Sequence, residues 1–382
     1  MDVLPLDSAR PALRWRSESA APAPRRVVEG DDALRAADAY RMACEGTAVL
    51  WRGDYQGARQ LLTALARRVD RGPRRNRAAP VAASRDPYDA FHRHRQEQGR
   101  RARVLGMLLV PVDPGYVVPL RRAPDVRAAC AEAYGPPQAG GDAPFAVSLR
   151  ELLGVIGAHE WRRRGVPVPA LGGDRVHPHY GVFSPVRGEY VDLVARAPLP
   201  TDRAVAHDIG TGTGVLAAVL ARRGVARVVG TDQDPRALAC ARDNAERLGL
   251  AERIDVVEAD LFPPGRAPLV VCNPPWLPAK PTSAVERAVY DPGSRMLRGF
   301  LAGLPHALAP GGEGWLILSD LAERLGLRTR DALLDLIDAA GLTVVDRLDA
   351  RPTHPRSADP DDPLHAARSA EITSLWRLAP SR

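Results

Sequence analysis

From about Ala204 onward, the chain alternates short apolar runs with stretches of helical spacing. Ala204–Ile209, Arg227–Thr231, Ile254–Ala259 and Leu269–Cys272 have the length and composition of strands. Gly214–Arg223 and Pro235–Leu248 repeat apolar residues at helical spacing, and Pro235 suits a first helical turn as Gly249 suits a stop. Gly314–Leu318 reads as a fifth strand, Leu321–Ala340 carries a helix, and Thr343–Arg347 and Glu371–Leu378 are two more strands. Such alternation predicts an α/β domain with a mostly parallel sheet and crossover helices. The last two strands, separated by a long loop, depart from simple dinucleotide-binding folds.

The preceding half lacks this rhythm. Residues 1–25, rich in Pro, Ala and Arg, are expected to be loosely ordered. Asp31–Val69 reads as helical with breaks at Gly46, Gly53 and Gly57, and Arg71–Pro87 reads as a basic linker. VLGMLLVPVDPGYVVPL holds two apolar runs around Asp113-Pro114-Gly115, which predicts a strand–turn–strand unit. Leu149–Arg164 is a further helix, ending in three arginines that suit the negative end of its dipole. The plan is therefore a loose terminus (1–25), a mixed α+β domain (26–170) and the α/β domain (171–382).

Composition adds limits rather than detail. With 382 residues, 45% hydrophobic and 26% charged, the chain suits two ordinary domains. No apolar run is long enough to span a membrane, and the start lacks the apolar segment of a secretory signal, so a cytoplasmic location is expected. Four scattered cysteines show no metal-ligand spacing, so neither disulfides nor a metal are expected. The net charge of +7 is uneven, because residues 1–170 hold 28 arginines against 19 acids. That excess suits an acidic or nucleic-acid partner. However, Lys280 is the only lysine, and a genome-wide arginine bias would produce the same excess.

Chemistry gathers at the strand ends. Asp208-Ile209-Gly210-Thr211-Gly212-Thr213-Gly214 joins a strand to a helix, where glycines let backbone approach a ligand. Its GxGxG spacing leans away from nicotinamide enzymes, which use GxGxxG. Asp232 ends the second strand, where a carboxylate accepts from both hydroxyls of a ribose. Asp260, followed by Leu261, ends the third, in reach of an adenine amine. The fourth strand ends in Asn273-Pro274-Pro275-Trp276. The prolines remove backbone donors and fix an extended turn, leaving the Asn273 side-chain oxygen and the Pro274 carbonyl as acceptors. Together they can take both N–H bonds of a planar NH₂ group, leaving its lone pair to face a methyl donor. Trp276 offers a face for a flat amide or base.

Taken together, DIGTGTG, TDQD, EADLF and NPPW resemble the class I methyltransferases of the NPPY/NPPW type. That group includes HemK-like protein glutamine methyltransferases, small-domain rRNA guanine methyltransferases and adenine-N6 DNA methyltransferases. The resemblance covers about residues 176–380 and implies a seven-stranded Rossmann-like sheet and S-adenosylmethionine as cofactor. It implies that Asp208, Gly210, Gly212 and Gly214 surround the methionine part, Asp232 the ribose, and Asp260 and Leu261 the adenine. Asn273 to Trp276 would hold the acceptor. Upstream, Gly181 to Tyr190 stands where HemK-like enzymes have a cofactor-closing segment, with Pro185 and Glu189 as its equivalents, although the RPET-like wording is absent. Phe183, Arg187, Arg351 and His354 are further candidates for substrate contact.

His177-Pro178-His179 spaces two imidazoles like ligands, yet a surface turn explains them better. Three functions stay open. The first is methylation of a planar amide, glutamine-like, or of another peptidic or small-molecule nitrogen. The second is methylation of an rRNA, tRNA or DNA base, with the basic half on phosphates. The third is a non-catalytic module that keeps the fold, against which all the motif residues are intact. The 349–369 segment, long for a loop, is either a lid or a surface excursion.

Overall fold

The computed structural model describes residues 3–5, 13–71, 86–137, 143–281, 285–353 and 359–381. The chain forms two compact units: Met1–Arg85 with His92–Glu160, and Asp86–Phe91 with Trp161–Arg382.

The first unit is built on β1 (Arg14–Trp15), β2 (Arg26–Gly30), α1 (Ala36–Cys44), β3 (Thr47–Trp51) and α2 (Tyr55–Arg71). It continues with α3 (Pro87–Gly106), β4 (Leu108–Val112), α4 (Arg127–Tyr134), β5 (Phe145–Ser148) and α5 (Leu149–Arg164), whose ends extend across the division. The five strands form a mixed sheet in the order β1-β5-β4-β3-β2. Two sequence expectations are corrected here. Asp31–Val69 is not helical throughout, because Thr47–Trp51 is a strand whose five residues are all buried. A strand buried on both faces loses the alternation that would distinguish it from a helical segment. The expected strand–turn–strand unit also fails, since past Asp113 the chain makes only a single bridge to Val117. The edges of β4 are instead taken by β3, parallel, and β5, antiparallel. Within the first 25 residues, Arg14–Trp15 pairs with β5, and Leu4, Leu13 and Trp15 are buried.

The second unit opens with a small ribbon of β6 (Val166–Pro167) and β7 (Arg175–Val176), followed by α6 (Glu189–Arg196). Strands and helices then alternate: β8 (Val205–Ile209), α7 (Val215–Arg222), β9 (Arg227–Asp232), α8 (Pro235–Arg247), β10 (Ile254–Glu258) and β11 (Ala267–Cys272). After a loop come α9 (Arg295–Ala307), β12 (Leu308–Ser319), α10 (Leu321–Arg324), α11 (Arg330–Ala339), β13 (Leu342–Ala350), α12 (His365–Ser369) and β14 (Thr373–Pro380). The sheet has seven strands in the order β10-β9-β8-β11-β12-β14-β13. All neighbours are parallel except β14, which is antiparallel to both β12 and β13. This is the expected class I methyltransferase sheet.

Strand alternation sends side chains to two cores. Leu269 and Val271 join α6 and α7 on one face, while Val270 and Cys272 join α9 and α11 on the other. Helix α9 was not foreseen, and it carries Gly299, Gly303 and Pro305, which disfavour a helix interior. Those glycines instead make room for the loop after β10. A Cβ at Gly303 would lie 2.4 Å from the Phe262 ring, and one at Gly299 would lie 2.6 Å from Leu261. The order of connection reverses between β8 and β11. In open α/β sheets that crevice, outside the carboxyl ends of the strands, is where ligands bind.

Candidate active site

A cleft of about 680 Å³ occupies this crevice. Its floor is the turn from β8 to α7. Gly210, Gly212 and Gly214 all have positive φ (72°, 55° and 78°), a conformation that disfavours any residue with a Cβ. A Cβ at Gly210 would also come 2.5 Å from Met296 Cε, so the glycine keeps a cradle open. Asp208, buried beneath, holds this turn: its Oδ2 accepts from Thr211 Oγ1 (2.7 Å) and from the Ala217 amide (3.1 Å) at the start of α7. Burial raises its pKa from 3.8 to about 6, against these hydrogen bonds. Asp208 thus braces the turn as well as lining the cleft.

Asp232, at the end of β9, faces the same turn. Its Oδ2 accepts from the Gly212 amide (3.1 Å) and its Oδ1 from the Asp234 amide (3.0 Å), and burial raises its pKa. Each oxygen retains lone-pair capacity for a hydroxyl. Asp260 stands apart: it does not line the cleft, it is 62% exposed, and it accepts from Gln233 and from Arg295 at 3.0 Å. Its neighbours Ala259 and Leu261 line the cleft in its place. Leu261 adopts a φ of 76°, and its carbonyl accepts from Thr231 Oγ1.

On the acceptor side, Asn273, Pro274, Pro275 and Trp276 all line the cleft. The Asn273 oxygen is not free, as the sequence had suggested. Trp276 Nε1 donates to Asn273 Oδ1 at 2.9 Å, leaving one lone pair for a ligand. One side of the indole is also covered, because the Arg187 guanidinium sits 4.9 Å from its ring centre. Arg187 donates through Nε to Glu189 Oε1 (2.8 Å) and through Nη2 to Glu371 Oε1 (2.9 Å). Glu371 also accepts from Ser319 Oγ at 2.6 Å. Glu189 belongs to the segment marked by the family resemblance, whereas no local signal in the sequence pointed to Glu371.

Phe183 and Arg187 line the cleft, whereas Pro185 is buried without lining it. Arg351 follows β13 as an exposed residue away from the lining, and His354 lies outside the described residues. From the same region, Leu364 is buried with Leu277 and Leu321, both of which line the cleft. The His177-Pro178-His179 segment is a strut. Asn244 of α8, 1% exposed, accepts from the His177 amide (2.7 Å) and donates to the Thr213 carbonyl (3.0 Å). His179 Nε2 meets Asp243 at 3.1 Å. This ties the segment leading to Phe183 to the glycine turn.

The open glycine cradle, the Asp232 carboxylate and the cleft volume fit S-adenosylmethionine. The second unit has the sheet order and the cleft position of the class I methyltransferase fold. Residues 175–324 match the family model described as "Methyltransferase small domain". A release factor glutamine methyltransferase of Cereibacter sphaeroides is 34% identical over 172 residues, which cover 41% of this chain and 59% of that protein. One from Geobacter sulfurreducens is 34% identical over 176 residues, covering 41% and 60%. A ribosomal protein L11 methyltransferase of Pelotomaculum thermopropionicum is 38% identical over 144 residues, covering 37% and 39%. The chain therefore spans about three fifths or less of these relatives. Among the described residues no helix is long and apolar enough to cross a membrane.

Proposed function

We propose that this protein methylates a planar nitrogen, specifically a glutamine-like amide of a protein or peptide. The observation that carries the reading is the placement of Asn273 and Pro274 beside the glycine turn, in one cleft. The release factor glutamine methyltransferases among the relatives support an amide over a base. In this reading Gly210–Gly214 and Asp232 hold S-adenosylmethionine, which supplies an electrophilic methyl group when bound. Asn273 Oδ1 and the Pro274 carbonyl accept the two N–H bonds of the acceptor. This orients the nitrogen lone pair and stabilises the positive charge that develops on it. An amide nitrogen is a poor nucleophile, so positioning and exclusion of bulk water supply most of the acceleration. The basic first unit serves substrate recognition. The test is incubation with methyl-labelled S-adenosylmethionine and cell extract, with and without ribonuclease. Label is expected in the protein fraction and insensitive to ribonuclease, whereas label that ribonuclease removes would favour a nucleobase.

A further inference from the structure

Arg187 presents an arrangement that the methyl-transfer reading leaves unused. Two of its nitrogens are spent on buried acids, with Nε on Glu189 and Nη2 on Glu371. Among the described residues Nη1 makes no hydrogen bond, although the residue lines the cleft and its guanidinium lies against Trp276. The supporting carboxylates are only 6% and 1% exposed, and the second oxygen of each has no partner among the described residues. Breaking such a buried pair usually destabilises a protein, so the guanidinium is fixed in place rather than sweeping the cleft. Its unspent donors therefore sit at a set position on the same indole whose N–H orients Asn273.

Resting on the amide reading above, we infer that Arg187 Nη1 donates to the carbonyl oxygen of the methyl-accepting group, so that the slot selects a neutral carboxamide. A carboxamide offers two N–H donors at one end and one strong acceptor at the other, with all heavy atoms in a plane. Asn273 and Pro274 satisfy the donor end, and Arg187 satisfies the acceptor end. Two carboxylates behind one guanidinium leave the cluster with a net negative charge, which disfavours a carboxylate in the same place. An amine on a ring without an adjacent acceptor, such as that of aniline, would leave Nη1 unpaired. Sites built to bond a polar group discriminate strongly against ligands that lack it.

The test uses the full-length protein saturated with S-adenosylhomocysteine and follows the Trp276 indole N–H resonance by NMR, assigned with Trp276→Phe. The probes are N-acetylglutamine methylamide, the corresponding glutamate compound and aniline. The carboxamide is expected to shift the resonance and to bind at least about tenfold more tightly than the other two. Arg187→Lys retains a cation between Glu189 and Glu371 but lacks the second pair of fork donors. It should weaken carboxamide binding by about tenfold or more while S-adenosylhomocysteine affinity and melting temperature stay near wild type. Arg187→Met should lose carboxamide binding to at least the same extent, and its own melting curve shows whether the fold persists. Equal carboxamide affinity in wild type and Arg187→Lys would overturn the inference. So would tighter binding of the glutamate compound or of aniline, or no carboxamide response in the wild type. Failure of S-adenosylhomocysteine itself to bind would instead defeat the methyltransferase reading on which the inference rests.

Discussion

Replacing Asp232 with asparagine separates the cofactor role proposed for this residue from its role in the fold. The carboxylate accepts one backbone N–H on each oxygen, from Gly212 and Asp234, at 3.1 and 3.0 Å. Asparagine keeps one acceptor oxygen, but its NH₂ then faces a backbone donor and offers a ribose hydroxyl nothing to donate into. The loss is one hydrogen bond to a charged group, about 1.5–3 kcal/mol, or roughly a 10- to 100-fold rise in dissociation constant. Burial already raises the Asp232 pKa, so the buried charge is unfavourable at neutral pH, and removing it offsets part of the conflict with the backbone. Calorimetry with S-adenosylhomocysteine should therefore show the weakened affinity, and a thermal melt of the unliganded protein should change little. An affinity within twofold of wild type would refute the reasoning. A loss of binding that merely follows a collapse in melting temperature would refute it too.

Asn273→Ala should lower turnover about 10²–10³-fold and leave the cofactor dissociation constant unchanged; wild-type turnover on the natural acceptor would contradict its placement. Asp208 and His207 titrate with opposite signs. His207 is buried in β8 with its pKa lowered, so as pH falls below 6.5 the unfolded chain takes up a proton that the folded one resists, and stability is lost. Asp208, raised from 3.8 to about 6, protonates first in the folded state, so stability is gained as pH falls through that window. Denaturant titrations from pH 7 to 4 should show Asp208→Asn losing about 3 kcal/mol relative to wild type, and a pH-independent difference would show that the charge is not buried. Leu364→Ala should destabilise by about 2–5 kcal/mol and raise the Michaelis constant for the acceptor, because Leu364 packs on the cleft residues Leu277 and Leu321. Unchanged acceptor kinetics would reduce this region to a surface connection.

The seven strands of the second unit were legible because each is a short apolar run whose ends carry Gly, Pro or Asp. The glycine turn and the Asn-Pro-Pro-Trp turn were legible because backbone demands there admit few residues. What escaped depends on packing between distant segments. Gly303 looks like a helix breaker until Phe262 is placed against it. The strand Thr47–Trp51 is hidden because both its faces are buried, which erases the period of two. Asp260 reads as an open acceptor, but Arg295, a cleft residue 35 positions away, pairs with it. The Arg187 cluster depends on Glu371, 184 positions further on, where the sequence gives no local sign. Even a nearby contact escaped: Trp276, read as a stacking face, also donates its N–H to Asn273, three positions before it.

The most direct test of the central claim is to identify the atom that receives the methyl group. The purified protein is incubated with methyl-labelled S-adenosylmethionine and ribonuclease-treated extract, and the labelled protein is digested completely to amino acids for chromatography. The account predicts that the label co-elutes with N5-methylglutamine and that Asn273→Ala produces none. Label on a carboxylate, on lysine or on arginine, or no protein label at all from a chain that binds S-adenosylmethionine, would contradict it.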